Sequence, residues 1–403
     1  MKTMKTTRLI HLTGLALAIL TLNPQLSTCL AQGSLTPPGA PAPTMKTLAQ
    51  IEARTPISSA PFTISVPGSY YLTTNLTVSS GDAITIAASG VTLDLNGFTL
   101  SSTANPADGY GVRLNVSLSD ITIANGHIRG GVTNNAGTYG GPGFQYGIAF
   151  FSEAPLSTRV VGVTVSGCLY YGIHLGFGES TVVESCTVRT VGSLGIVATT
   201  IKNSTASDCD WTAIYGSQVS DCRGQSSSAT GLSAITAQNC YGYSSSSGIG
   251  LNAETAQNCY GYSSSGTALS AQTALNCYGE SGSGTALSAQ TAQNCYGYSS
   301  SGTGLSATTA QNCYGYSSSG TGLSATTAHN CYGYSVSDSG LFADRTATGC
   351  YGYSFSGPRG LYALSANTCV GYRLGGRAIE ATVANGCYAQ NGTNFITYKY
   401  NMP

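Results

Sequence analysis

The sequence predicts an all-β fold, a right-handed parallel β-helix (β-solenoid) with rungs of 18–19 residues. Three observations carry that expectation. A cysteine recurs at near-constant spacing, columns of Leu, Ala and Asn keep pace with it, and no rung holds a 3.6-period apolar stripe of helical length. The cysteines stand at 168, 186, 222, 240, 259, 277, 295, 313, 331, 350, 369 and 387, with steps of 18 or 19 and one of 36. Ser204 sits midway across the long step, in Ile201-Lys202-Asn203-Ser204, so thirteen rungs follow one another and Cys209 lies outside the column.

Each further column has a physical reason. About ten residues after the cysteine comes one branched aliphatic per rung, as in Leu269, Leu287, Leu305 and Leu323, with Ala two residues later on the same strand face. Three residues before it the column is Val or Ile early (Val165, Val183, Ile201, Val219) and Ala from Ala237 onward, which predicts a second short inward strand. Immediately before the cysteine, eleven of thirteen residues are Asn, Asp or Gly, types that tolerate the left-handed backbone region. A sharp bend is expected there, with successive Asn side chains bonded along the axis. A third strand then begins. Its tyrosine positions accept Thr187, Arg223, Arg189, Gln225 and Glu280 in other rungs, so they face water, while the cysteines and the glycines two residues on face a narrow interior. The uneven inward intervals favour the right-handed form over a left-handed hexapeptide helix. At about 4.8 Å per rung, twelve intervals span about 58 Å.

Ahead of the repeats, Lys2, Lys5 and Arg8 precede the apolar run 9–22 and the small-residue exit Cys29-Leu30-Ala31, the pattern of a signal peptide over 1–31. A lipid-modified Cys29 is the lesser reading, because Thr28 stands where a smaller residue is usual. No segment reaches the roughly 20 apolar residues of a transmembrane helix, so a secreted, periplasmic or cell-surface location is expected. Residues 32–60, with Pro37-Pro38-Gly39-Ala40-Pro41, read as a Pro-rich linker. The β-helix is assigned to 61–403: irregular wider rungs over 61–160, regular repeats over 161–390 and a C-terminal cap over 391–403. Upstream strands show in Ile84-Thr85-Ile86 and Ile121-Thr122-Ile123.

The stretch from Gly68-Ser69-Tyr70-Tyr71-Leu72 through Val91-Thr92-Leu93-Asp94-Leu95-Asn96-Gly97 resembles the opening of secreted bacterial right-handed parallel β-helix repeat proteins, which share the pectin-lyase-like fold. The resemblance covers roughly 61–403 and implies the fold. It leaves activity open, since that fold hosts lyases, hydrolases and adhesins.

Composition narrows the function. With 16 Lys+Arg against 16 Asp+Glu and only 8% charged residues, where soluble domains carry about 25%, nucleic acid is not an expected partner. Enzymes of this fold would need paired carboxylates, or Asp clusters for calcium with a basic residue. From 222 onward the acids are only Glu254, Glu280, Asp338, Asp344 and Glu380, in unrelated columns. A lyase or hydrolase site would therefore fall among Asp108, Arg113, Asp120, His127, Arg129, His174 and Glu179 of the early rungs, whose plainer reading is solvated loop residues. The Gly-rich run 129–144 lacks the Lys-Ser/Thr of a phosphate loop and is read as an insertion. No catalytic residue, metal site or cofactor is assigned. The stacked cysteines are expected as reduced, buried thiols, because parallel Cβ vectors fit disulfide geometry poorly.

The expected binding surface is two tyrosine columns, represented by Tyr241, Tyr260, Tyr296, Tyr314 and Tyr332, and by Tyr243, Tyr262, Tyr298, Tyr316 and Tyr334. They would offer an uncharged aromatic wall for sugar rings or a cell-surface component, or simply stabilise neighbouring rungs. A non-catalytic surface or carbohydrate-binding protein is the leading reading and a polysaccharide lyase or hydrolase the second. Ice binding, suggested by the column Thr255, Thr273, Thr291, Thr309 and Thr327, ranks third.

Overall fold

A regular rung consists of a seven-residue strand, a two-residue corner, a four-residue strand and a closing loop. In one such rung these are Leu287–Gln293, Asn294-Cys295, Tyr296–Ser299 and residues 300–304. A computed structural model describes residues 52–402, so the signal segment and most of the linker lie outside the described residues. The rungs stack as a parallel β-solenoid of about 19 turns. Pairing is in register: Leu287 lies between Leu269 and Leu305, and Tyr296 between Tyr278 and Tyr314. Identical residues therefore sit above one another wherever the repeat is faithful.

Two strands stand where the sequence suggests three. The Leu-x-Ala segment and the following Ala column belong to one strand, interrupted after its third residue: Ala289 pairs with Ala307 and Thr291 with Thr309, but Gln290 has no ladder partner. Gln290 and Thr291 both face solvent while Ala292 is buried, so the chain bends there and strict alternation breaks. The rung still has three inward stretches, but only one of its bends carries a left-handed residue.

That corner follows the expectation closely. All thirteen residues of the column have positive φ, from 48° at Asn203 to 69° at Gly167, including Ser185 and Thr368. Beside it the Asn side chains form a ladder, each Nδ2 donating to the Oδ1 one rung below: Asn258 to Asn239, Asn276 to Asn258, Asn294 to Asn276 and Asn312 to Asn294, all at 3.2 Å.

The interior is narrow. A Cβ on Gly297 would lie 2.0 Å from the carbonyl oxygen of Gly304 on the facing wall, so nothing larger than glycine fits there. Cys295 is buried, its Sγ 3.3 Å from the Ala274 carbonyl and 3.2 Å from that of Gln293, one of which receives the S–H. All thirteen described cysteines are free and buried, as expected. The sequence did not reveal the buried serines that close each rung. Ser299 Oγ donates to the Gly284 carbonyl at 2.8 Å and accepts from the Gly302 amide at 2.9 Å, and Ser263, Ser281, Ser317 and Ser335 repeat the pattern. A hydroxyl with both roles filled makes a polar residue compatible with full burial.

Larger side chains such as Ile84, Leu93, Ile121 and Phe144 fill the early rungs, where strands reach 13 residues in Leu156–Cys168. Strand Thr55–Ile57 already pairs in parallel with Gly68–Leu72, inside the stretch read from sequence as linker. At the other end Thr393–Tyr400 pairs with Arg377–Asn385, so the segment expected as a cap is itself a layer of the sheet. The Gly-rich insertion forms an antiparallel hairpin, Thr133–Asn135 with Thr138–Gly140.

Two substitutions test this reading of the rung. Gly297→Ala should cost about 1–3 kcal/mol through overpacking against backbone. Asn294→Ala should cost about 1–2 kcal/mol more than Asn294→Gly, because both remove the ladder bonds and only alanine strains the left-handed corner. Urea-denaturation midpoints measure both, and equal effects of the two Asn294 variants would refute the corner argument.

The tyrosine face as a candidate recognition site

The four-residue strands carry Tyr at their first and third positions, facing outward, with Gly and Ser facing inward. In-register pairing brings Tyr241, Tyr260, Tyr278, Tyr296, Tyr314, Tyr332 and Tyr351 into one continuous stack, with centroids 4.8–5.0 Å apart and planes within 1–6°. The second column is broken by Glu280. Tyr243 stacks on Tyr262, and Tyr298, Tyr316, Tyr334, Tyr353 and Tyr372 form a separate run. The Tyr260 hydroxyl donates to Glu280 at 2.5 Å, and the Arg223 guanidinium lies 4.9 Å over the Tyr241 ring, covering that end of the stack.

The ten tyrosines singled out from the sequence are thus gathered on one wall, but not as open sugar platforms. Within each run a ring's face is covered by its neighbour, and what the wall offers to solvent is ring edges and phenolic hydroxyls. Stacking of this kind contributes about 0.5–1.5 kcal/mol per pair beyond burial, so the column is first a device that holds rungs together. Alongside it runs an open groove of about 800 Å³, lined by Asn239, Asn258 and Asn276 on one flank and Tyr241, Tyr260 and Tyr278 on the other, with Arg223 and Asp221 at one end.

The same face continues into the early rungs with different chemistry. The first tyrosine column extends through Arg223, Thr205, Thr187, Thr164 and His127, and the second reaches Gln225, is interrupted by an irregularity between Ala206 and Cys209, and resumes through Ser207, Arg189, Ser166 and Arg129. His127, Arg129 and Arg189 share a depression of about 400 Å³ without an acidic lining residue. Neither arginine has an ion pair among the described residues.

The other early-rung candidates do not converge there. Asp108 accepts the Gly81 amide at 3.0 Å, and Arg113 pairs with Asp82 at 3.2 Å while lying 4.3 Å over the Phe151 ring. Asp120 is exposed in a left-handed corner beside Ser119, and Glu179 is exposed on a turn. His174 stacks against Phe150 and Tyr171 at 5.0 and 4.7 Å, and burial lowers its pKa to about 4. Sequence reasoning also passed over Phe177 and Tyr215, which meet edge to face at 4.6 Å on a different wall. The signal that marked Tyr215 was a large aromatic at an outward position held by Ser in the faithful rungs, whereas Phe177 stands on a turn outside the repeat columns.

Burial governs the ionisation of the repeat. It pushes the Cys168 thiol up to about 12, and raises Tyr278 and Tyr332, with neighbouring acidic groups adding to it, to about 12. A group whose pKa rises on folding contributes stability fully below its unfolded value and loses it as pH climbs toward the folded one. Stability should therefore decline from about pH 9 toward pH 12. The reverse holds for His174, whose contribution should fade as pH falls from 6.5 toward about 4. Thermal midpoints across this range check both limbs, and a midpoint unchanged above pH 10.0 would contradict the first.

No family model and no curated protein matches the chain. Among solved structures, the Dettilon tailspike protein is similar at 11% identity with a TM-score of 0.30, over 82% of this chain. The chain spans 62% of the length of that tailspike.

Proposed function

We propose that the chain is an exported, non-catalytic β-solenoid whose tyrosine and asparagine face binds a linear polysaccharide at a cell or extracellular surface. The observation that carries this reading is the open groove between the two ladders. One flank repeats amides and the other phenolic hydroxyls at rung spacing, with few charges, so a polymer lying along the axis meets the same donors and acceptors at each step. Binding would use tyrosine edges and hydroxyls rather than ring faces. Export rests on the charged and apolar pattern of residues 1–31, which lie outside the described residues.

The second reading, a polysaccharide-active enzyme, draws on the depression at His127, Arg129 and Arg189, which could hold an anionic group. It lacks a carboxylate beside the base, the arrangement that glycoside hydrolysis uses.

The test is a polysaccharide panel offered to the mature chain and to the variant Tyr296→Phe, Tyr314→Phe, Tyr332→Phe. Phenylalanine keeps the stack and removes the hydroxyls. Binding weakened about tenfold or more at unchanged thermal midpoint, with no sugar released, is the expected result. Reducing or unsaturated ends appearing at equal rates with both proteins would transfer the function to the early rungs.

A further inference from the structure

The near-identical rungs supply an internal control for what folding requires. At the outward position after the leucine, Ser270, Ser288, Ser306 and Ser324 repeat, and two residues later come Gln272, Gln290, Thr308 and Thr326. The three rungs before these keep an inward Ile or Leu, at Ile214, Leu232 and Leu251, and a small Gly or Ala two residues on, but change the outward positions to Tyr215, Ile235, Asn252 and Glu254. Packing does not ask for these changes, because serine and glutamine serve the same backbone a few rungs away. They fall together on one groove of about 530 Å³, floored by Gly216, Ala234 and Ala253 and closed at one end by Phe177 and Tyr215.

We infer that this groove is a second binding site, separate from the tyrosine face, and that its ligand is a neutral saccharide chain. Tyr215 is 42% exposed, and its column neighbours are Val197 and Ser233, so no stacked ring covers it as the ladder tyrosines cover one another. Phe177, 47% exposed, meets it edge to face at 74° and fixes a corner of aromatic surface against which a sugar ring can stack. Ile235, 51% exposed, extends the apolar strip. Further along the groove Asn252 stands in the column of Tyr215, and Glu254 and Gln272 at the rung position of Ile235, so amide and carboxylate groups meet hydroxyls on both margins. The groove runs across rungs for about 19 Å, long enough for several sugar units. Its lining holds no basic residue, and Glu254 is its only charge, so an acidic glycan would meet repulsion without compensation.

The repeat itself provides replacements that the fold already accepts for Tyr215 and Ile235, since Ser233 and Gln272 stand at the same rung positions, while Phe177 on its exposed turn is exchanged for the same small polar residue. Isothermal titration with cellohexaose and with hexagalacturonic acid is run on the mature chain, on Phe177→Ser with Tyr215→Ser and Ile235→Gln, on Glu254→Gln, and on the triple Tyr→Phe ladder variant. The neutral hexasaccharide should bind the mature chain and the ladder variant alike, and at least about tenfold more weakly to the groove variant at an unchanged thermal midpoint. Glu254→Gln should narrow the gap between the two probes. Unchanged binding by the groove variant, absence of cellohexaose binding, or equal binding of both probes by the mature chain each overturns the assignment. Loss confined to the ladder variant overturns it too, while leaving the tyrosine-face reading intact.

Discussion

In-register parallel pairing is the constraint on which the rest of this molecule depends. Once Leu287 must lie over Leu269 and Tyr296 over Tyr278, every position of the rung is judged against a copy of itself about 4.8 Å away. A repeated charge would repel itself along the whole column, which explains why so few charges survive in the middle rungs. Residues that can bond or stack with their own kind are favoured instead. Asparagine has a donor and an acceptor on one amide and so extends a chain of side-chain bonds indefinitely. Tyrosine stacks face to face at nearly the rung spacing. Glu280 shows the alternative: it interrupts one tyrosine column and is held by a hydroxyl from the other.

The second constraint is the width of the interior. With facing walls close enough that Gly297 cannot carry a Cβ, apolar burial per rung is limited to one leucine, alanines and a cysteine. That is a thin core, and backbone ladders, asparagine bonds and tyrosine stacks add what the core cannot. Cysteine suits the tight column because it is small, apolar and able to give its one proton to a nearby carbonyl. The same vertical register stacks the thiols, so that each buried cysteine also interacts with the thiols of the neighbouring rungs, as Cys295 does with Cys277 and Cys313.

Much of this was legible in the sequence because a period of 18 or 19 residues turns columns into an alignment. The corner at Asn294, the inward cysteines and the outward tyrosines all follow from which substitutions each column admits. What escaped notice lacked a compositional signal. The bend after Ala289 uses no Gly, Pro or left-handed residue, so one bent strand looked like two. Ser299 looked like loop punctuation because serine is common in turns, and only the structure shows its hydroxyl bonded on both sides. Thr55–Ile57 was hidden by Pro56 and by proline-rich surroundings. The tyrosine columns were legible both as a platform for sugar rings and as a stack between rungs, and the structure shows the stack, in which exposure of a position is not exposure of its ring.

That last distinction separates two kinds of surface on a single rod. A faithful repeat hides its aromatic faces by stacking them and can only present edges, hydroxyls and amides, evenly and without an address. An unfaithful rung does the opposite. Where Tyr215 meets Val197 and Ser233 in its column instead of other tyrosines, the ring is left uncovered, and the departure from the repeat creates a local feature that the repeat cannot make. Length and regularity therefore suit contact with a polymer at many equivalent points. Recognition of one particular chemistry has to come from the rungs that break the pattern, because in a stacked column sameness and selectivity compete for the same positions.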